Sequence, residues 1–113
     1  MKNQTSELFE MQLARLKEPH FLILYWAMSS EDRGVKYNIT NVFDDLKSAG
    51  VTRTKQTAVA VVAALEALCL IDLRDEHNRK NVYLTRYGGL ALKHFAEQKS
   101  FEVRKSQYLE NLK

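Results

Sequence analysis

A polar, basic segment at residues 52–57 carries side chains of the kinds that contact nucleic acids. Its members are Thr52, Arg53, Thr54, Lys55, Gln56 and Thr57. Arg and Lys reach guanine acceptors or phosphate oxygens, Gln pairs with an adenine edge, and Thr binds a phosphate or packs on a thymine methyl group. The segment therefore predicts contact with duplex DNA. The alternative interpretation is a capped helix start whose charges only remain hydrated.

A second set of cations surrounds a predicted β-hairpin. The set consists of Arg74, Arg79, Lys80 and Arg86. We expect Arg79 and Lys80 at the hairpin tip to lie beside the DNA backbone or the minor groove, and the two flanking arginines to bind phosphates. Charges on a short exposed hairpin also deter edge-to-edge strand pairing, which is the alternative explanation.

The distribution of charge along the chain is more informative than its total. The net charge is only +3. Residues 47–57 carry three Lys or Arg residues and residues 79–96 carry four, with no acid in either segment. Residues 31–46 have a net charge of −2. Positive charge concentrated in this way is typical of a surface that binds phosphates.

Residue patterns typical of enzymes are lacking. His20, His77 and His94 do not have metal-ligand spacing, and there is no glycine-rich phosphate loop. The single cysteine, Cys69, cannot form an internal disulfide, which is typical of the reducing cytoplasm. Because Cys69 follows an apolar helix, we expect it to be buried and unreactive. We predict a cytoplasmic binding protein with no catalytic activity, cofactor or metal.

Hydrophobic periodicity predicts one mainly α-helical domain with a small β-hairpin over residues 1–113. The predicted helices cover residues 6–18, 19–29, 38–49, 52–68 and 85–112, with Asn38 or Thr40 as the cap of the third helix and Thr52 or Thr54 as the cap of the fourth. A very short strand is predicted at 35–37, and hairpin strands at 70–74 and 81–84. In the fourth helix the expected buried stripe is Val59, Val62, Leu65 and Leu68. Since the longest apolar stretches are well short of the roughly 20 residues that a membrane helix needs, no membrane partner is expected.

This order of elements resembles the winged helix-turn-helix regulators of the MarR and PadR kind. The resemblance is carried by ALEALCLI at residues 64–71 and YLTRYG at residues 83–88. They are similar to the family's "Leu-Glu, two residues, Gly-Leu-Ile" run and to its "Leu-Thr, two residues, Gly" run after the wing. Cys69 stands where the family usually has Gly, and residues 52–57 are about two residues longer than the family's turn and helix start. The resemblance covers about residues 20–96.

The resemblance implies a winged-helix core at residues 19–96, with an N-terminal helix at 6–18 and a C-terminal helical extension at 97–113. The terminal helices contain more apolar surface than a small core can cover, which predicts a homodimer. The expected interface residues are Leu8, Phe9, Leu13, Leu16, Phe101, Tyr108, Leu109 and Leu112. The alternative is that these helices pack onto their own domain.

The expected function is sequence-specific binding of a palindromic double-stranded operator by this homodimer, as a transcriptional regulator and most simply a repressor. One alternative is a winged helix used for protein–protein assembly, which the charge-free, alanine-rich middle of the fourth helix favours. Another is a plasmid or phage DNA-maintenance protein, which shares the same DNA-binding chemistry.

Overall fold

Helices make up most of the molecule, and one antiparallel hairpin lies between the fourth and the fifth. The computed structural model describes residues 4–112. Its elements are α1 (Gln4–Ala14), α2 (Glu18–Asp32), α3 (Ile39–Ser48), α4 (Lys55–Ala67), β1 (Ile71–Glu76), β2 (Arg79–Leu84), α5 (Arg86–Gln98) and α6 (Gln107–Glu110). The predicted fold class, mainly α with a small β-hairpin, is confirmed. Residues 1–3 and 113 of the predicted domain lie outside the described residues.

Helix α2 is the centre of the core. Its buried apolar side chains are Phe21, Leu22, Ile23, Leu24, Trp26 and Ala27. They surround most of its circumference because α2 contacts α3, α4, α5 and β2. At the start of α2 the Lys17 N–H donates to His20 Nδ1 at 3.0 Å, and Pro19 occupies the first turn, where its missing N–H is not needed.

The connection between α3 and α4 fixes where α4 begins. The Asn38 side chain accepts the Asn41 N–H at 2.9 Å and so caps α3. Gly50 follows α3 with a φ of +74°, a backbone conformation that favours glycine. The Thr54 hydroxyl accepts the Thr57 N–H at 3.2 Å and caps α4. Each observed cap is one of the two that the sequence predicted, Asn38 or Thr40 for α3 and Thr52 or Thr54 for α4.

The buried face of α4 differs from the predicted stripe. The buried residues are Ala58, Val61, Val62 and Leu65. Val59 is instead 43% exposed, and Leu68 is only partly buried. The observed face follows the i, i+3, i+4, i+7 spacing from Ala58, so the prediction that Val59 is buried is wrong. Because Val and Ala alternate through this segment, hydrophobicity alone does not select the face.

The hairpin closes through a two-residue turn at His77 and Asn78. Their φ angles are +51° and +64°, as a type I′ turn requires. Glu76 pairs with Arg79 next to the turn. The segment 75–80, predicted to be a charged tip, is therefore mostly paired strand, and its side chains are held in a defined register.

Backbone contacts attach the hairpin to the segment that precedes α3. The Val82 N–H donates to the Tyr37 carbonyl at 2.8 Å, and Asn81 forms an isolated antiparallel bridge with Asn38. The short strand predicted at 35–37 is reduced to this bridge, because the chain turns into α3 directly after Asn38.

The chain after α5 does not continue as a helix. Lys99 has a φ of +52° and ends the helical hydrogen bonding after Gln98. Residues 99–106 then lack regular secondary structure and lead into the short α6. The prediction of one helix from Thr85 to about residue 112 is wrong.

Hydrogen bonds hold this C-terminal segment against its own domain. Trp26 Nε1 donates to the Arg104 carbonyl at 2.8 Å, and the Arg104 guanidinium donates to the Ala49 carbonyl at 2.6 Å. Arg33 donates to the Leu109 carbonyl at 3.0 Å. A continuous helix leading away from α5 would leave the buried indole of Trp26 without this acceptor, and so the extended path is favoured.

The buried carboxylate of Asp45 fastens the same segment to α3. Asp45 is 1% exposed and accepts hydrogen bonds from the Tyr37 hydroxyl at 2.6 Å, from the Ser106 hydroxyl and from the Tyr108 N–H at 2.9 Å. Burial, together with the neighbouring Asp45 charge, raises the pKa of Tyr37 far above its usual value, so Tyr37 remains a donor. The three donors compensate for removing the carboxylate from water.

Two adjacent glycines in the first turns of α5 have different surroundings. A Cβ on Gly88 would lie 2.1 Å from the Leu70 carbonyl oxygen and 2.6 Å from Leu84 Cδ1. A Cβ on Gly89 would meet nothing within 4 Å. Gly88 therefore permits α5 to pack closely on the base of the hairpin, whereas Gly89 has no such steric requirement.

Removing the Asp45 carboxylate should destabilise the fold. We expect Asp45→Ala to lower the free energy of unfolding by about 3 to 5 kcal/mol, because it leaves buried donors without an acceptor. Urea denaturation followed by circular dichroism measures the change. Asp44→Ala is the matched control, since Asp44 is exposed. Equal losses in the two variants would contradict the assigned role of Asp45.

The glycine pair gives a second stability prediction. Gly88→Ala should destabilise the protein by about 1 to 3 kcal/mol through overpacking. Gly89→Ala should stabilise it by up to about 1 kcal/mol through helix propensity. Thermal unfolding should show opposite shifts in Tm, of about 4 to 8 °C per kcal/mol for a domain of this size. A lower Tm for both variants would argue against the close approach at Gly88.

Candidate nucleic-acid interface

A groove lies between the hairpin tip and the starts of α3 and α4, with a volume of about 380 Å³. We call it the basic groove. Its lining residues are Asn38, Ile39, Thr40, Lys55, His77, Asn78, Arg79 and Lys80. Lys55 thus comes together in one concave surface with Arg79 and Lys80, which are distant from it in sequence. These three residues include two of the four hairpin cations and one residue of the predicted segment 52–57.

The electrostatics of the basic groove favour an anion. Its described lining contains three Lys or Arg side chains and no Asp or Glu. Asn38 and Thr40 lie at the start of α3, and Lys55 is the first residue of α4, so the positive ends of two helix dipoles also meet the groove. The partial charges at the two helix N-termini and the charges of the Lys and Arg side chains are therefore both positive in the basic groove.

The segment that begins α4 divides into exposed and buried residues. The five residues Arg53, Thr54, Lys55, Gln56 and Thr57 are exposed. Thr52 is only 7% exposed, and its hydroxyl faces the Thr54 carbonyl at 3.4 Å. The prediction that Thr52 contacts DNA is not supported by this position, because the residue closes the turn before α4 instead of facing solvent.

The exposed face of α4 continues from Gln56 through small and apolar residues, among which Ala60 was expected from the sequence to let this face approach DNA. Val59 and Ala60 are exposed one turn after Gln56, and Ala63 follows on the same side. Val59 was expected in the core. The spacing of Ala58, Val61, Val62 and Leu65 would have revealed the exposed face, but small residues give a weak periodic signal.

The other two hairpin cations, Arg74 and Arg86, lie away from the basic groove, and Arg53 does not line it either. The Arg74 guanidinium carbon is 4.2 Å from the centroid of the Tyr83 ring, a cation–π contact on the hairpin surface. Arg86 is exposed at the first position of α5, beyond the open end of the hairpin. Since Leu84 is the fifth residue after Arg79 along β2, and a strand rises by about 3.4 Å per residue, this end is about 17 Å from the tip.

A polar cluster around Glu76 braces the hairpin. The Glu76 carboxylate accepts hydrogen bonds from the Tyr83 hydroxyl at 2.5 Å and from the Asn81 amide at 2.8 Å. Lys36 donates to the Tyr83 hydroxyl at 2.7 Å and lies 3.5 Å from the carboxylate. These hydrogen bonds, the one from Tyr83 foremost, lower the pKa of Glu76 from 4.5 to about 2. The cluster connects both strands to the chain before α3.

Cys69 lies in an unexpected setting. It is exposed and takes a φ of +62°, and its carbonyl accepts the Thr85 hydroxyl at 2.6 Å. The expectation that Cys69 is buried is wrong. The turn from α4 into β1 requires the left-handed conformation that glycine adopts most readily, and here a cysteine supplies it.

The predicted dimer residues occupy three kinds of position. Leu13, Leu16 and Leu109 are buried in the protein's own core, at 1%, 7% and 2% exposure. Phe9, Phe101 and Tyr108 are partly buried against the core. Leu8 and Leu112 are exposed, at 55% and 41%. The first group is therefore not available to a second copy in this conformation, and the alternative of intramolecular packing holds for those three.

No protein-family model matches the chain, and no curated protein is significantly similar to it. Within residues 4–112, no group of three or more His, Cys, Asp or Glu side chains is arranged to hold a metal ion. Of the helices in this range, none combines the length and the hydrophobicity needed to cross a lipid bilayer.

The low pKa of Glu76 predicts a pH-dependent contribution of the hairpin cluster. Because the folded-state pKa lies below the unfolded one, the contribution is complete above about pH 4.5 and is lost as the pH falls towards 2. The stability difference between the wild type and Glu76→Gln should therefore be largest near neutral pH and shrink below pH 4.5. Chemical denaturation at a series of pH values measures it. A difference that does not change with pH would show that the carboxylate charge is not responsible.

Proposed function

We propose that the protein binds double-stranded DNA as a winged helix-turn-helix homodimer and regulates transcription in the cytoplasm. In this proposal α3 and α4 form the helix-turn-helix, with α4 as the recognition helix, and the β1–β2 hairpin is the wing. The observation that carries it is the basic groove, in which Lys55 at the start of α4 meets Arg79 and Lys80 of the hairpin. The mechanism is binding alone, with no cofactor and no bond chemistry.

The start of α4 has the chemistry for reading bases in the major groove. Gln56 matches the donor and acceptor pattern of an adenine edge, and Val59 offers an apolar contact for a thymine methyl group. Ala60 and Ala63 are small and exposed, so the helix can approach the base pairs without steric conflict. Arg53 precedes the helix and can reach a guanine or a phosphate.

The basic groove has the chemistry for the DNA backbone. Lys55, Arg79 and Lys80 supply mobile cations, and the starts of α3 and α4 supply fixed N–H groups. The hydrogen bonds around Glu76, and the one from the Val82 N–H to the Tyr37 carbonyl, hold the hairpin in position beside α3 and α4. The geometry of the groove therefore suits one phosphate segment beside the major groove. Arg74 and Arg86 are left to make peripheral phosphate contacts.

The exposed face of α4 also supports a second candidate function. Val59, Ala60 and Ala63 are exposed and form an uncharged surface in the middle of α4. Such a surface suits a winged helix that assembles with another protein. This candidate requires no role for the basic groove, so charge reversal in the groove separates the two.

Charge reversal tests the DNA proposal. We expect Lys55→Glu combined with Arg79→Glu to reduce affinity for mixed-sequence duplex DNA at least about tenfold. The magnitude of the slope of log K against log salt should fall by about 4, because each protomer of the dimer loses two phosphate contacts. Fluorescence anisotropy over a salt series measures both. Lys105→Glu, a reversal at a side chain that is 85% exposed and outside the basic groove, should leave the slope nearly unchanged.

The wild-type measurement alone can also refute the proposal. Absence of binding at low salt would exclude the DNA function and favour protein–protein assembly. If binding occurs, selection from random duplexes should return a palindrome with half-sites about one helical turn apart, ~34 Å, because a two-fold dimer presents two recognition helices.

A further inference from the structure

An apolar groove with a volume of about 700 Å³ lies between α2, α5 and the segment after α5. We call it the apolar groove. Its apolar walls include Phe21, Tyr25, Met28, Leu92, Phe101 and Val103. Val103 is 56% exposed, so the apolar lining reaches solvent. The basic groove and the apolar groove share no lining residue.

Gly89 forms part of the apolar groove. A glycine inside a helix destabilises the helix by about 1 kcal/mol relative to Ala. No steric contact within the chain explains the glycine at position 89, because a Cβ there would meet nothing within 4 Å. Ala96 lies two turns further along the same helix and also lines the groove. The backbone of α5 is therefore accessible to a close neighbour at this point, as in tightly packed helix pairs.

Helix α1 presents an apolar face that its own domain does not cover. Leu8 and Met11 are 55% and 61% exposed, and their spacing of three places them on one side of α1. Leu13 lies on the side that enters the core, where it is 1% exposed. The chain thus offers both an apolar groove and a helix face with apolar side chains.

The charges of the two surfaces are complementary. Residues 4–14, which form α1, contain Glu7 and Glu10 and no Lys or Arg. The rim of the apolar groove carries Lys93 and Lys99, with Glu102 as its acidic member, for a net positive charge. An acidic amphipathic helix is therefore a better match for the groove than a basic one.

We propose that α1 of a second copy of this chain occupies the apolar groove. Leu8 and Met11 insert over Gly89, and Glu7 lies towards Lys93. The contact is reciprocal, so two helices and two grooves form a closed two-fold dimer. This inference rests on the proposed function, whose homodimer it locates, and it replaces the interface in which Leu13, Leu16 and Leu109 were expected to take part.

Filling the apolar groove tests the contact. Gly89→Leu places a side chain where the helix of the second copy would lie, and should convert a dimer into a monomer that remains folded by circular dichroism. Sedimentation equilibrium over a concentration series measures the assembly state. The matched control is Tyr87→Ser, which changes an exposed apolar residue on α5 outside the groove and should remain dimeric. Should Gly89→Leu not fold, Met11→Lys tests the same contact from α1.

A charge exchange tests whether the contact is between copies. Glu7→Lys alone and Lys93→Glu alone each create two repulsive contacts in a two-fold dimer, and each should weaken dimerisation about tenfold. In an equimolar mixture both contacts become attractive, so a heterodimer should form with nearly wild-type affinity. Mixing Glu7→Lys with wild type is the control and should not restore full affinity.

The outcomes separate this inference from the proposed function. A wild type that is monomeric at all concentrations, or a Gly89→Leu protein that remains dimeric, overturns the interface. Salt-sensitive binding of duplex DNA by such a protein would still support the DNA function. If the variants disrupt the dimer as expected but the wild-type dimer does not bind DNA, the interface would be supported and the DNA function overturned.

Discussion

The hydrogen bond between the Tyr37 hydroxyl and the buried Asp45 carboxylate is the interaction on which the other parts depend. Asp45 holds Ser106 and the backbone of Tyr108, and so it positions the C-terminal segment. The Tyr37 carbonyl accepts the Val82 N–H, and so it positions the hairpin. A charged group buried in this way is stable only while its donors are present. Helix α3, the hairpin and the C-terminal segment are consequently held together by one buried polar centre.

Several local conformations that are unfavourable by themselves are retained because they position the hairpin. Cys69 adopts the left-handed conformation at the entry to β1, and His77 and Asn78 adopt it at the tip. Such conformations destabilise the backbone by about 1 to 2 kcal/mol per residue. The hydrogen bonds around Glu76 and the close packing at Gly88 offset this backbone destabilisation. The hairpin is thereby held with its tip cations beside the start of α4.

The charged and the apolar surfaces of the molecule lie on different elements. The basic groove is formed by the hairpin tip and the starts of α3 and α4, whereas the apolar groove is formed by α2, α5 and the chain after α5. The first surface suits a polyanion and the second suits an apolar helix. If both proposals hold, α2 connects the two partners, since it contacts α4 as well as α5. A change in packing at the apolar groove would then affect the spacing of the two DNA-reading helices.

The sequence by itself determined the fold class, narrowed the start of α3 and of α4 to two capping residues each, and indicated a charged hairpin, because caps, turns and periodicity act over a few residues. It also identified the cations of the basic groove, although not that Lys55 meets Arg79 and Lys80. Only the tertiary structure decided which face of α4 is buried, that Thr52 lies inside the turn, that Cys69 is exposed and that the chain after Gln98 folds back. These outcomes depend on which donors and apolar surfaces distant segments bring together. The donors to the Asp45 carboxylate, for example, belong to Tyr37, Ser106 and Tyr108, and only the folded chain brings them to it.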